Sequence, residues 1–345
     1  MIYGIIAREV ERTMPPKEEL FLDFRNALKH LQNEKAELSR HTLGALSNAN
    51  RVELSAFAQT WTGLSGDRRK HVAQMLVELA EDNIELDFNP LFRHLLEDED
   101  ADVRVSAIDG LWEDEDPGLV KSFVGFLRSD PNVHVRAAAA DSLGRYMLLA
   151  EYNRIPQSPH GNLMFDALVA TIDSGLEDTV VRARSLEALG YSSREGVREI
   201  IAAAYEEEDE DMRASAISAM GHSADKYWGK TVAAELQSSE PKMRFQAARA
   251  AGELEYRAAV PRLIELMDDE DREVQAATIV SLGQIGGKDA RNALVQARDA
   301  DDEVLSNLAE EALQELQFAS DPSFLLFDID PEEVEMGEED DLDEE

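Results

Sequence analysis

One ten-residue pattern returns along this chain and constrains it more than any other feature. Val103-Arg104 opens a stretch that aligns with "VRAAAADSLG" from Val135, "VRARSLEALG" from Val181 and "MRASAISAMG" from Met212. "MRFQAARAAG" from Met243 and "VQAATIVSLG" from Val274 follow, then a worn copy, "LSNLAEEALQ", from Leu305. Successive starts are 32, 46, 31, 31, 31 and 31 residues apart, and a degenerate earlier copy begins near Arg69. A fixed period of this size belongs to arrays in which each unit cannot bury its apolar face alone.

The unit has a physical reading. Three residues before each start stands Asp100, Asn132, Asp178, Asp209, Glu240, Asp271 or Asp302. Asp and Asn suit a helix N-cap, because the side chain accepts from amide groups that have no helical partner; Glu240 is the weaker member. Small or apolar residues then recur at i, i+4, i+5 and i+8, which is a helical stripe. Gly144, Gly190, Gly221, Gly252 and Gly283 follow the stripe and are expected in left-handed C-terminal turns. Amphipathic segments such as "DPGLVKSFVGFLRS" precede the caps, so one unit reads as two antiparallel helices. Small residues such as Ala139, Ala216 and Ala247 are expected where neighbouring helices meet.

The line "DxxVRxxAxxxLG" on a period near 31 resembles the HEAT-like repeat of the phycobilisome-lyase type, over about residues 87–316. The resemblance implies an all-α fold, an α-solenoid of stacked antiparallel helix pairs. In such an architecture the second helices line the concave surface. Gln275 and Ser306 replace the repeat arginine in the last units, and Trp112 replaces the first glycine, as expected at array ends. The expected organisation is an extension over 1–14 (Met14 being an alternative start), N-terminal helices over 15–49, the array over 50–318 and an acidic tail over 319–345.

Charge and composition narrow the partners. The formal net charge is −38, which disfavours a phosphate backbone or an anionic membrane surface. The absence of cysteine removes disulfides, thiolate nucleophiles and cysteine-ligated metals, and suits a cytoplasmic setting. Twelve of the eighteen residues from Asp328 are acidic, a block that commonly solubilises or repels. The "SFLLFDID" before it reads as a cap on the last helix or a docking motif.

Sharper chemistry finds little support. Asp98, Asp100 and Asp102 imitate half of a calcium loop, but Val103 and Asp109 stand where that loop needs Gly and Glu. "GQIGGKDA" lacks the spacing of a phosphate loop and reads as a helix end with a glycine turn. Deoxyhypusine hydroxylase, similar in fold, uses His-Glu dipeptides for iron, and none of the seven histidines here precedes Glu. HEAT-like DNA glycosylases need a basic groove, which the charge contradicts. No cofactor or metal is expected.

The remaining candidates are surfaces. Asp109, Asp141, Arg184, Glu187, Tyr191, Arg249 and Glu253 face away from the apolar stripe and are expected on the concave side. The spacing of 46 marks an insertion in "RYMLLAEYNRIPQSPHG", read as a lengthened helix and a Pro-containing loop, where Tyr152, Arg154 and His160 could meet a partner. The favoured role is a non-catalytic scaffold or adaptor holding a protein partner with a basic surface. The alternatives are a bilin-lyase-like or other small-molecule enzyme, and an acidic chaperone-like holder of basic proteins.

Overall fold

The structure, a computed structural model, describes residues 24–300 and 302–320, with the side chains of 318–320 left aside. The expected extension 1–14, the alternative start at Met14, "SFLLFDID" and nearly all of the 319–345 tail therefore lie outside the described residues.

The chain divides into two compact units, up to Val197 and from Arg198. The first holds α1 (Phe24–Gln32), α2 (Arg40–Gly44), α3 (Arg51–Trp61), α4 (Gly66–Asp82) and α5 (Asn89–Leu95). It continues with α6 (Ala101–Gly110), α7 (Gly118–Ser129), α8 (Val133–Glu151), α9 (Asn162–Ile172) and α10 (Thr179–Gly190). The second opens with α11 (Val197–Tyr205), α12 (Glu210–His222), α13 (Gly229–Glu235) and α14 (Pro241–Glu253). It closes with α15 (Val260–Leu266), α16 (Arg272–Ile285), α17 (Lys288–Arg298) and α18 (Glu303–Ser320). Among the described residues there is no strand. The fold is all-α, an α-solenoid of stacked helix pairs.

Stacking follows the repeat. In the first unit α4, α6, α8 and α10 pack in sequence, each against its own first helix or the next in line. In the second unit α12, α14, α16 and α18 do the same, with α13, α15 and α17 laid against them. Ala139, Ala216 and Ala247 are completely buried. The caps form as the sequence implies: Asp100 accepts from the Asp102 amide, Asn132 from His134 and Val135, and Asp178 from Val180. Asp209 accepts from Met212, and Asp271 from Glu273 and Val274. Glu240 makes no side-chain cap, and Pro241 opens α14 in its place.

The repeat arginine ties successive turns together. Arg104 holds Asp130 of the next turn through two bonds of 2.9 Å and donates to the Asp98 and Glu99 carbonyls. Arg136 does this with Glu177 and the Asp130 carbonyl. Arg244 does it with Asp269 and the carbonyls of Ser238 and Ser239. Gln275 retains the carbonyl bond, 2.7 Å to Asp269 O, without the carboxylate.

The glycines do something other than expected. Gly144, Gly221, Gly252 and Gly283 lie inside α8, α12, α14 and α16, and Gly190 is the last helical residue of α10. None stands in a left-handed turn. A Cβ on Gly144 would sit 3.0 Å from Ala188 Cα, on Gly221 2.8 Å from Ala250 Cα, and on Gly252 2.9 Å from Ser281 Cα. The missing side chain lets the next helix come close. The left-handed positions fall later, at Ala224, Glu255 and Gly286, three residues after the corresponding repeat glycine.

Candidate functional site

In the first unit the second helices expose their polar sides as a row. Asp109 on α6 and Asp141 on α8 occupy the same register, six residues after Val103 and Val135, and both reach solvent. The two helices pack directly on each other. Asp109 is nonetheless crowded by protein. Desolvation first, then the charges of Asp141 and of Glu81 on α4, push its carboxyl up to about 6. Like charges that must share one face favour the protonated acid or an incoming cation.

On α10 the same register position is Glu187, largely covered and bonded to Arg184 at 2.7 Å. Tyr191 follows as the C-cap residue of α10 and lies against α8, where a Cβ at Gly144 would be 3.5 Å from its ring. The first unit thus brings five of the expected residues onto adjacent helices. Arg249 and Glu253 belong to the second unit. They face each other along α14 at 3.6 Å, with His222 of α12 3.9 Å from Glu253 and Phe245 beneath the Arg249 guanidinium. They form a separate charged group.

The insertion has the expected form. α8 runs nineteen residues to Glu151, and a turn at Asn153 in left-handed conformation leads into a short kinked segment over Gln157–Gly161, with Ser158 extended. Ile155 is buried and pins the segment, while Gln157 donates to Ala150 O and accepts from Arg194. Tyr152 is 71% exposed, so most of its ring is free for a contact. Arg154 pairs with Glu115 at 2.7 Å, and His160 sits half-buried in the turn.

The acidic turn that imitated a calcium loop is committed to the protein. Asp98 accepts from the Trp61 indole at 2.6 Å and from the Asp100 amide. Lys70 stands 3.5 Å from both Asp100 and Asp102. Among the described residues no group of His, Asp or Glu is arranged to hold a metal ion. The "GQIGGKDA" stretch is the turn between α16 and α17, with Gly286 and Gly287 at positive φ.

A feature outside the repeat pattern is the fork at Arg93. Its guanidinium grips Asp114 through Nε and Nη2 and reaches Asp116 at 2.8 Å. Arg145 and the Tyr146 hydroxyl donate to the Asp114 carbonyl, and burial pushes the Tyr146 phenol up to about 12. Arg93 and Asp114 line an open cleft of about 640 Å³ together with Asp87, His94 and Glu97. The sequence carries no hint of it, since Arg93 and Asp114 lie outside the periodic positions.

Residues 88–152 and 229–314 match the family of HEAT repeats. A comparison with curated proteins finds no match. Among solved structures, YibA of E. coli is similar at 15% identity over 82% of this chain and 99% of that one, with a TM-score of 0.43. Human deoxyhypusine hydroxylase in complex with glycerol is similar at 19% identity, covering 76% and 95%, with a TM-score of 0.33. A designed armadillo repeat protein is similar at 16%, covering 57% and 99%, with a TM-score of 0.36. Among the described residues no helix is long and apolar enough to cross a membrane. The recurring caps and the buried small residues thus fall in a chain of which two separate stretches, 88–152 and 229–314, match HEAT repeats.

Proposed function

We propose that this chain is a non-catalytic scaffold that holds a protein partner on the exposed sides of its second helices. HEAT repeats suit such a role, because stacked helices present an extended, side-chain-rich surface. The observation that carries the reading is the pairing of Asp109 and Asp141 in one register of two packed helices, both open to solvent. A Lys or Arg from a partner adds counter-charge beside this solvent-facing acidic pair, which favours a partner with a basic surface. Arg184, Glu187 and Tyr191 flank the contact, Arg249 and Glu253 offer a second one, and Tyr152, Arg154 and His160 a third on the insertion. The period near 31 supports the phycobilisome-lyase type of repeat, over an array of residues 50–318.

The test compares the wild-type chain with Asp109→Lys/Asp141→Lys. Affinity capture identifies proteins held by the wild type, and surface binding kinetics with the purified partner follow. A basic partner that dissociates faster from the double variant supports the reading. A partner held equally by both, at low and at high salt, overturns it.

A further inference from the structure

The second unit carries a row of basic residues that the rest of the chain does not explain. Lys226, Arg257 and Lys288 recur at intervals of 31 residues. Each opens the segment that follows a second helix: Lys226 and Arg257 begin short 3-10 turns, and Lys288 begins α17. Lys230 and Arg291 lie about one helical turn further on, and all five are exposed. None of the five makes an ion pair among the described residues. Asp225 is taken by Arg198, and Arg262 is matched by Glu265. On the same turns the unpaired carboxylates are Glu255 and Asp289, leaving positive charge in excess on this edge. In a chain of net charge −38 that is a local reversal.

The row lies along one edge of the unit. Gly221 meets Ala250, Gly252 meets Ser281 and Gly283 meets Ala312, always position ten of one repeat against position eight of the next. The same two repeat positions meet at each step, so α12, α14, α16 and α18 stack in register and the turns that follow the first three lie along one edge. Lys226 and Arg257, from adjacent turns, already share a cleft of about 410 Å³ with Tyr256 and the single carboxylate of Glu255.

The end of α18 arrives at the same edge. A Cβ on Gly286, in the turn just before Lys288, would stand 2.9 Å from a methyl of Leu316. α18 runs on to Ser320, past the repeat position at which α16 ends, so the chain leaves the helix beyond this same end of the unit. The chain that continues from there holds seven residues, 321–327, and then the block in which twelve of eighteen residues are acidic. Neighbouring helices stand about 10 Å apart. An extended chain covers about 3.3 Å per residue. Seven residues thus span about two helix spacings, and the acidic block is long enough to cover the whole row.

From this charge complementarity, length and point of departure we infer that residues 328–345 dock on the chain's own basic row at Lys226, Lys230, Arg257, Lys288 and Arg291. The contact is intramolecular and electrostatic, so the short connector gives it a high effective concentration. It screens this basic edge from other acidic ligands, and it weakens as salt rises.

Zero-length carbodiimide coupling of the full chain, at protein concentrations where copies do not meet, tests the inference. The products are read by mass spectrometry. Expected are couples within one chain that join Lys226, Lys230 or Lys288 to carboxylates of 328–345. Lys242, exposed in the same unit but at the opposite end of α14, should give few of them. The couples should fall several-fold at 1 M salt, where the screening length is about 3 Å. They should also fall several-fold in Arg257→Glu/Arg291→Glu, which leaves every reporter lysine in place and alters only exposed residues. Couples spread evenly over all exposed lysines would overturn the inference, as would couples found only between two chains. An absence of couples at low salt would overturn it as well.

Discussion

At Gly252 one added methyl group decides between two roles for a glycine. A helical glycine with free space around it gains about 0.5–1 kcal/mol on change to alanine, because the unfolded chain loses freedom. Gly252 has Ser281 Cα in the way, so Gly252→Ala should instead cost about 1–3 kcal/mol by overpacking. Gly125, exposed on α7 with nothing near its missing Cβ, is the matched control and should be neutral or slightly stabilised. Urea midpoints of the two variants check this. If Gly252→Ala also stabilises, the close approach of α14 and α16 is not the reason for the glycine.

Two aspartates make opposite contributions to stability as pH changes. Asp109 has its carboxyl raised to about 6 by desolvation, Asp141 and Glu81, so the folded state binds a proton that the unfolded state, near 4, does not. Between those values stability falls as pH rises, and the penalty is complete above about 6. Asp109→Asn should therefore raise the melting temperature at pH 7.5 and change little at pH 4. Asp269 is held below its ordinary range, first by the Arg244 guanidinium and also by the Asp271 amide. Its contribution is present above about 4 and is lost as pH falls through its folded value. Both partners are buried, so Arg244→Ala strands a carboxylate and should cost about 3–5 kcal/mol near neutrality. Arg244→Gln/Asp269→Asn, which removes both charges, should cost less. Thermal melts across pH 3–8 separate the three variants.

Among the elements, α14 starts badly. Its cap position holds Glu240, whose side chain makes no bond to the helix amides, while its neighbours α12 and α16 are capped by Asp209 and Asp271. One methylene fewer brings the carboxylate within reach, so Glu240→Asp should stabilise by about 0.5–2 kcal/mol. No change in the denaturation midpoint would mean that Pro241 already sets the start of the helix. The insertion between α8 and α9 behaves differently. Tyr152 is exposed, and the Arg154–Glu115 pair lies at the surface. Alanine at Tyr152 or Arg154 should leave stability within about 0.5–1 kcal/mol. A loss of binding in either variant would then report contact rather than misfolding.

At the scale of the whole molecule the dominant fact is the excess of carboxylates. A net charge of −38 repels itself in the compact state, and salt screens that repulsion over about 8–10 Å at physiological strength. Raising sodium chloride from about 10 mM to 500 mM should therefore raise the melting temperature. The Arg104–Asp130 and Arg244–Asp269 links are buried and lose little to screening. A melting temperature that falls with salt would show that surface ion pairs outweigh the repulsion.

The period, the capping Asp and Asn residues and the buried Ala139, Ala216 and Ala247 were legible without coordinates. Each is a local property, written within ten residues and repeated, and repetition separates signal from accident. The two-helix unit follows from the same pattern. What the repeat glycines are for was not legible, because a helix interior and a helix end differ there by how near the next helix lies. Spacing put Asp109 and Asp141 on one face, but it did not reveal how strongly packing desolvates Asp109, nor that Arg249 and Glu253 belong to another unit. The Arg93 fork on Asp114 and the basic row ending beside α18 are likewise matters of distance across the stack. Helix identity is set along the chain by capping and periodicity; proximity between charges is set across it by packing, and only the tertiary structure decides that.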